Sequence, residues 1–169
     1  YNGVTRTDVD VNVSAYDLAD TYLPPWRTAI VDGGALGVMC SYNSVNGIPT
    51  CGNPVLNKTL RETWGFKGYM TSDSDSCACI GPDHHAYEPT SELATRDCLA
   101  GGTDIDSGGT YKNNLHNALV NGNLTSRRTT DAALRNTIQT KLEQSGEYDR
   151  CALAPTRERL RCGGEAEGS

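Results

Sequence analysis

The sequence has no stretch near the roughly 20 consecutive apolar residues that a bilayer-spanning helix needs, which excludes such a helix within it. It also lacks any dense Lys/Arg block apart from the short run 157–161, and its net charge is -6 with a sequence pI near 5.0. That balance argues against nucleic acid or an anionic membrane as the main partner. The N-terminus does not resemble a signal peptide, a property that a processed chain would share. No paired C-x-x-C knuckles of a zinc site occur, and no internal repeat is visible.

Against these absences stand 169 residues, 37% of them hydrophobic, which suits one globular domain rather than a disordered segment. Seven cysteines is a high count for this length, and without metal knuckles disulfides are the natural reading. Three Asn-x-Ser/Thr sequons begin at Asn12, Asn57 and Asn123. Disulfides persist only in oxidising compartments, so cysteines and sequons together point to a secreted or lumenal glycoprotein. The odd cysteine implies a free thiol or a bond to another chain.

Periodicity outlines the elements. In residues 14–32, Leu18, Tyr22, Trp26, Ala29 and Ile30 recur at three- and four-residue steps, which predicts a helix split in two by Pro24-Pro25 and stopped at Gly33-Gly34. Residues 35–42 form an apolar run short enough for a buried strand, followed by a turn-rich stretch over 43–47. A helix is expected over 55–64, with Asn53-Pro54 as cap and first-turn proline. Residues 66–72 read as a second strand, 91–100 as a helix closed by Gly101-Gly102, and 103–106 as a short third strand. Two further helices follow over 111–120 and 126–144, the second with Leu134, Ile138 and Leu142 on one stripe.

Strands separated by single helices imply parallel βαβ units. Three such strands are too few for a sheet covered on both faces, so completion by another chain or fragment is expected. Residues 151–169 lack apolar periodicity and are expected to be a flexible tail.

Carboxylates cluster where the strands end: Asp73 and Asp75 after the second, Asp104 and Asp106 on the third. In parallel α/β folds that end builds the active site. For Asp75, Asp104 and Asp106 the plainer reading is helix capping in βα loops. The pair His84-His85, in a polar loop, reads more simply as solvated than as touching a sugar hydroxyl or a neighbouring loop. With no third ligand at sensible spacing, no metal site is expected.

The ordered motifs Asp20-Thr21-Tyr22-Leu23-Pro24-Pro25-Trp26, Val38-Met39-Cys40-Ser41-Tyr42-Asn43, Asn46-Gly47-Ile48-Pro49, Leu60-Arg61-Glu62-Thr63-Trp64-Gly65-Phe66 and Gly68-Tyr69-Met70-Thr71-Ser72-Asp73 together resemble the family-three glycoside hydrolases. The likeness is to their β-xylosidase and α-L-arabinofuranosidase branch. It continues through Asp83-His84-His85-Ala86-Tyr87, Ala100-Gly101-Gly102-Thr103-Asp104-Ile105-Asp106, residues 119–125 and Ser145-Gly146-Glu147-Tyr148-Asp149, covering about 14–149.

The resemblance implies an α/β fold, a partial (β/α)8 TIM-type barrel made of about its last three β/α units. Residues 1–150 would be the C-terminal part of a catalytic domain. The activity implied is that of a retaining, exo-acting β-glycosidase, β-xylosidase-like or β-glucosidase-like, that needs no cofactor. The family's Ser-Asp pair assigns the nucleophile to Asp73, and a retaining enzyme requires a second carboxyl about 5 to 5.5 Å away as acid and base. Tyr42 corresponds to a family tyrosine close to the nucleophile, where its hydroxyl would orient the carboxylate. Met39 and Asn43 are expected to line the same pocket, with Ser74 in its wall.

Family members carry cysteines at Cys40 and Cys51, so a disulfide is implied there. It would close a 12-residue segment and stabilise by on the order of 2 to 3 kcal/mol. Cys77 and Cys79 would lie about 6.5 Å apart on extended backbone, too far for an unstrained mutual bridge. The partners of Cys77, Cys79, Cys98, Cys151 and Cys162 stay open.

Several positions depart from the family pattern. Ser74 stands where the xylosidase branch has Cys and the glucosidase branch Trp, and Ser107 replaces another family Cys, which fits the removal of a bridging pair. Glu147-Tyr148-Asp149 stands in for a more apolar ending. The family's sugar-binding N-terminal segments and its acid/base Glu have no match, so the chain alone is expected to be inactive, with other chains or fragments supplying them alongside an oligosaccharide substrate. The competing expectation is a catalytically inactive extracellular structural or glycan-binding subunit derived from the same fold.

Overall fold

A computed structural model of the protein describes residues 3–122 and 124–145. Its centre is a parallel pair of strands, β2 (Gly37–Cys40) and β5 (Tyr69–Ser72), in the register Gly37↔Tyr69 through Cys40↔Ser72. Helices separate them in the chain. Helix α1 covers residues 15–32, α2 54–63, α3 Ser91–Ala100, α4 110–121 and α5 Arg127–Ser145.

The expected third strand is reduced to a parallel bridge between Thr71 and Ile105. Its backbone still follows β5, since Ser72 N–H donates to Ile105 O at 2.8 Å and Ile105 N–H to Met70 O at 3.1 Å. The Asp104 side chain explains the shortness of the ladder: it turns back into the strand edge and accepts from Met70 N–H at 2.8 Å.

Local sequence fixes the helix ends. Ser14 Oγ accepts from Asp17 N–H at the start of α1, and Asn53 Oδ1 accepts from Val55 and Leu56 N–H at the start of α2, with Pro54 behind it. Thr90 caps α3 through Leu93 N–H. Helices α1 and α2 close alike. A five-residue-back bond (Gly33 N–H to Thr28 O, Trp64 N–H to Thr59 O) is followed by a six-residue-back bond (Ala35 to Ala29, Phe66 to Leu60). Between them sit Gly34 and Gly65 at φ +66° and +71°, where a side chain would be strained.

Helix α1 is continuous through Pro24-Pro25, which corrects the expected split. Leu23 N–H reaches back five residues to Leu18 O, and the two prolines follow at the start of the next helical stretch.

Residues 10–11, 44–45 and 48–49 make a second small sheet that no periodicity announced. Strand β1 (Asp10–Val11) runs parallel to β3 (Ser44–Val45), which forms a hairpin with β4 (Ile48–Pro49). Asn46 and Gly47, at φ 52° and 81°, supply the two left-handed residues of the tight turn.

The core lies between the strands and α1–α3: Ile30, Leu60, Phe66, Met70, Ile80 and Ala94 pack around two buried disulfides, Cys40–Cys51 and Cys77–Cys98. Strand alternation decides which face is covered. Cys40, Met70 and Ser72 are buried under the helices, whereas Met39 on the opposite face is 53% exposed.

On α5 the apolar stripe does not face the body. Leu134 and Ile138 are 59% and 54% exposed, while Ala133 and Thr140 are buried and Asn136 donates to Asp104 Oδ1 at 2.9 Å. Residues 133, 136, 137 and 140 share one helix face, and close approach to the strands selects small and polar side chains there.

Candidate active site

Asp73 follows directly on β5. Its N–H donates to Cys40 O at 3.0 Å, prolonging the β2–β5 ladder by one bond. Ser74 N–H donates to Asp73 Oδ1 at 2.7 Å, and Ser76 N–H donates to Asp73 O at 3.0 Å. Two bonds thus pin the Asp73 main chain at the C-terminal edge of the parallel strands and a third reaches its carboxylate.

Tyr42, two residues past β2, has its hydroxyl near enough to the Asp73 carboxylate for that charge to act on it. Desolvation, and then the neighbouring Asp73 carboxylate, push the phenol above its ordinary 10.0, while the nearby Arg6 pulls it down. The Arg6 guanidinium lies over the Tyr42 ring, 4.5 Å from its centroid. His85 Nε2 donates to Tyr42 O at 2.8 Å, and His84 Nδ1 contacts Asp8 Oδ1 at 3.1 Å. The expectation that both histidines are merely solvated therefore does not hold.

The other expected residues separate. Met39 and Asn43 line an apolar groove of about 410 Å³ with Leu18, Trp26 and Val38, and Tyr42 and Asp73 are not among its walls. Asp106 Oδ2 accepts from Tyr111 N–H at 2.9 Å and Asp75 Oδ1 from Gly109 N–H at 3.1 Å, so both cap the start of α4. Asp104 departs from the expected helix capping: its side chain, 4% exposed, accepts from Met70 N–H in β5 and pairs with Arg61 at 2.5 Å. Asp75 N–H donates to Ser107 O at 3.0 Å, which sets the loops holding Ser74 and Ser107 side by side.

Cys40 and Cys51, with Cα atoms 5.1 Å apart, are bridged on the strand that leads to Tyr42. Cys77 pairs with Cys98, and Cys79 is a buried free thiol. Asn12 is exposed. Asn57 is half-buried in α2, with its buried Oδ1 unpaired. Asn123, Cys151, Cys162, the Glu147-Tyr148-Asp149 ending and the expected tail lie outside the described residues. Among the described residues no three His, Cys, Asp or Glu side chains are grouped so as to hold a metal ion. Sequence reasoning missed Arg6, which lies in a stretch with no predicted element; the turn-forming Thr5-x-x-Asp8 pattern was the one signal there.

Comparison with known proteins gives this geometry a context. Residues 3–138 match the model of the glycosyl hydrolase family 3 N terminal domain. The chain is 42% identical over 120 residues to a probable beta-D-xylosidase 7 of Arabidopsis thaliana, covering 70% of this chain and 16% of that protein. With the exo-1,4-beta-xylosidase bxlB of Emericella nidulans it shares 39% identity over 161 residues, 93% of this chain and 21% of the relative. Among solved structures, a GH3 exo-beta-xylosidase (XlnD) bound to a xylobiose aziridine activity-based probe superposes with a TM-score of 0.79 at 32% identity, over 86% of this chain and 19% of that one. A beta-glucosidase from Listeria innocua gives 0.70 at 29% identity, over 78% and 18%. The chain thus spans about a fifth of the length of such relatives. A parallel α/β core whose strand ends carry Tyr42 and Asp73, matched over most of its length by one domain model, belongs to glycosyl hydrolase family 3.

Proposed function

We propose that this chain supplies the nucleophile half of a retaining, exo-acting β-glycosidase, β-xylosidase-like in preference, that releases terminal sugars from oligo- or polysaccharides. The observation that carries the reading is the Asp73 carboxylate at the C-terminal end of β5, with the Tyr42 phenol near enough for its charge to act on it. A carboxylate at that edge of a parallel sheet stands where such folds do chemistry.

In the reaction, Asp73 attacks the anomeric carbon and the glycosidic bond breaks as a second carboxyl protonates the leaving oxygen. The same second group then takes a proton from water, which displaces Asp73. Tyr42 and Ser74 N–H hold the attacking carboxylate in one orientation, which lowers the entropy lost on reaching the transition state. The second carboxyl and the remaining sugar contacts come from outside this stretch, either elsewhere in the same polypeptide or on another chain that completes a (β/α)8 barrel. The exposed face of β2 bearing Met39 supports that completion. Two buried disulfides and the sequon at Asn12 support a secreted protein.

Chemical rescue tests the reading. Asp73→Gly in the assembled protein is expected to abolish hydrolysis of an aryl β-xyloside, and azide is expected to restore turnover with the α-xylosyl azide as product. An inactive variant that azide rescues only as the β-azide, or a fully active one, would contradict it.

A further inference from the structure

Two adjacent imidazoles brace Tyr42 indirectly, one through its main chain and one through the turn that covers its ring. Tyr42 lies beyond the β2–β5 ladder, and its carbonyl receives the His85 Nε2 proton at 2.8 Å. His84 Nδ1 reaches Asp8 Oδ1 at 3.1 Å. Asp8 belongs to a turn in which Asp8 and Val9 N–H both donate to Thr5 O, each at 3.1 Å, and the Thr5 and Thr7 hydroxyls donate to the Asp8 carboxylate. That turn lays Arg6 over the Tyr42 ring.

The loop carrying the histidines is itself anchored. His85 N–H donates to Cys79 O at 3.1 Å, Ala86 N–H to Gly81 O at 3.0 Å and Glu88 N–H to Ile80 O at 2.9 Å. These acceptors sit in the turn that Cys77 ties to α3 through Cys98. Ala86, next to His85, holds φ 49°, a left-handed conformation in which a methyl side chain is strained. Strain of that kind persists where surrounding contacts over-determine the backbone, and here it turns the preceding imidazole toward Tyr42.

We propose that His85, with His84 as its partner, is a positioning residue for the Tyr42–Asp73 pair: His85 fixes the tyrosine main chain and His84 fixes the turn that covers the ring. The proposal rests on the reading of Asp73 as nucleophile. Neither histidine acts on the sugar; both act through Tyr42.

The test follows the Tyr42 phenol by 13C NMR in the full chain labelled at tyrosine Cζ, with Tyr42→Phe assigning the signal. Asp73 raises the Tyr42 titration, so Asp73→Asn is expected to move it down toward 10.0. His85→Ala and the bulkier donor-free His85→Met are expected to move it the same way, whereas His85→Gln, which keeps a side-chain N–H, retains the wild-type titration. His84→Ala is expected to abolish the ring-current shift of the Arg6 side-chain protons. If His85→Ala does not fold, His85→Met decides. A Tyr42 titration that shifts with Asp73→Asn but with neither donor-free variant overturns the positioning role and leaves the glycosidase reading intact. A titration that ignores Asp73→Asn overturns both.

Discussion

Asp104 is the group whose removal should cost most, and the cost can be worked from its contacts. Its side chain is 4% exposed and receives Met70 N–H at 2.8 Å, an Arg61 guanidinium N–H at 2.5 Å and the Asn136 amide at 2.9 Å. Asp104→Ala leaves the Met70 N–H of a buried strand without a partner, worth about 1–3 kcal/mol, and strips Arg61 of its counter-charge. Arg61 keeps Gly68 O at 3.0 Å and Gly102 O at 3.5 Å and remains 20% exposed. The total therefore falls at the low end of the range for breaking a buried pair, about 3 kcal/mol, or a melting temperature lower by roughly 6–12 °C for a chain of this length. Asp104→Asn, which retains an acceptor for Met70, should lose about half as much.

The pH dependence has a definite sign. Burial, the largest influence, raises the Asp104 carboxyl above 3.8 even though Met70, Arg61 and Asn136 pull it down. The native state therefore holds this proton more tightly than the unfolded chain. Its contribution is fully present below 3.8 and is lost as pH rises through the raised value. Urea denaturation across that window should show wild type gaining on Asp104→Asn as pH falls. A cost below about 1 kcal/mol for Asp104→Ala, or strict additivity with Arg61→Met, would refute the reasoning.

Three further outcomes follow from the same contacts. Replacing Cys40 and Cys51 by Ser should destabilise by about 3 kcal/mol on the chain-entropy account, read from urea unfolding with a steeper slope as the unlinked chain unfolds further. Cys79, 2% exposed and with its thiol pushed up to about 11 by burial, should resist iodoacetamide at pH 8 in the native protein and react once urea unfolds it. Tyr42→Phe should lower kcat of the assembled enzyme about 10- to 100-fold, the range for one hydrogen bond to a charged group, with KM little changed; a larger effect on KM would place the phenol on the sugar instead.

What the sequence made legible was local. Asn53-Pro54 announced α2 because a cap and a first-turn proline act within one turn, and residues 91–100 formed the helix that their spacing predicted. The resemblance carried the Cys40–Cys51 pair and pointed to Asp73 and Tyr42 as candidates, which no periodicity could have singled out. What stayed hidden was nonlocal or context-dependent. His85 meets Tyr42 across 43 residues, and the two-residue strands β1, β3 and β4 are too short for a period of two to register. Pro24-Pro25 read as a break because the five-residue-back bond that accommodates them is a property of the folded helix. The stripe of Leu134 and Ile138 looked like a core face because helical spacing says which residues share a face and not which face meets the body.

The central claim is that Asp73 forms the covalent bond to the sugar. The direct measurement treats the assembled protein with an activated 2-fluoro-β-xyloside and locates the adduct by peptide mass spectrometry. The account predicts a single 2-fluoroxylosyl ester on Asp73 that is absent from Asp73→Asn. An adduct on another carboxylate, or none in a preparation that turns over the unfluorinated substrate, would contradict it.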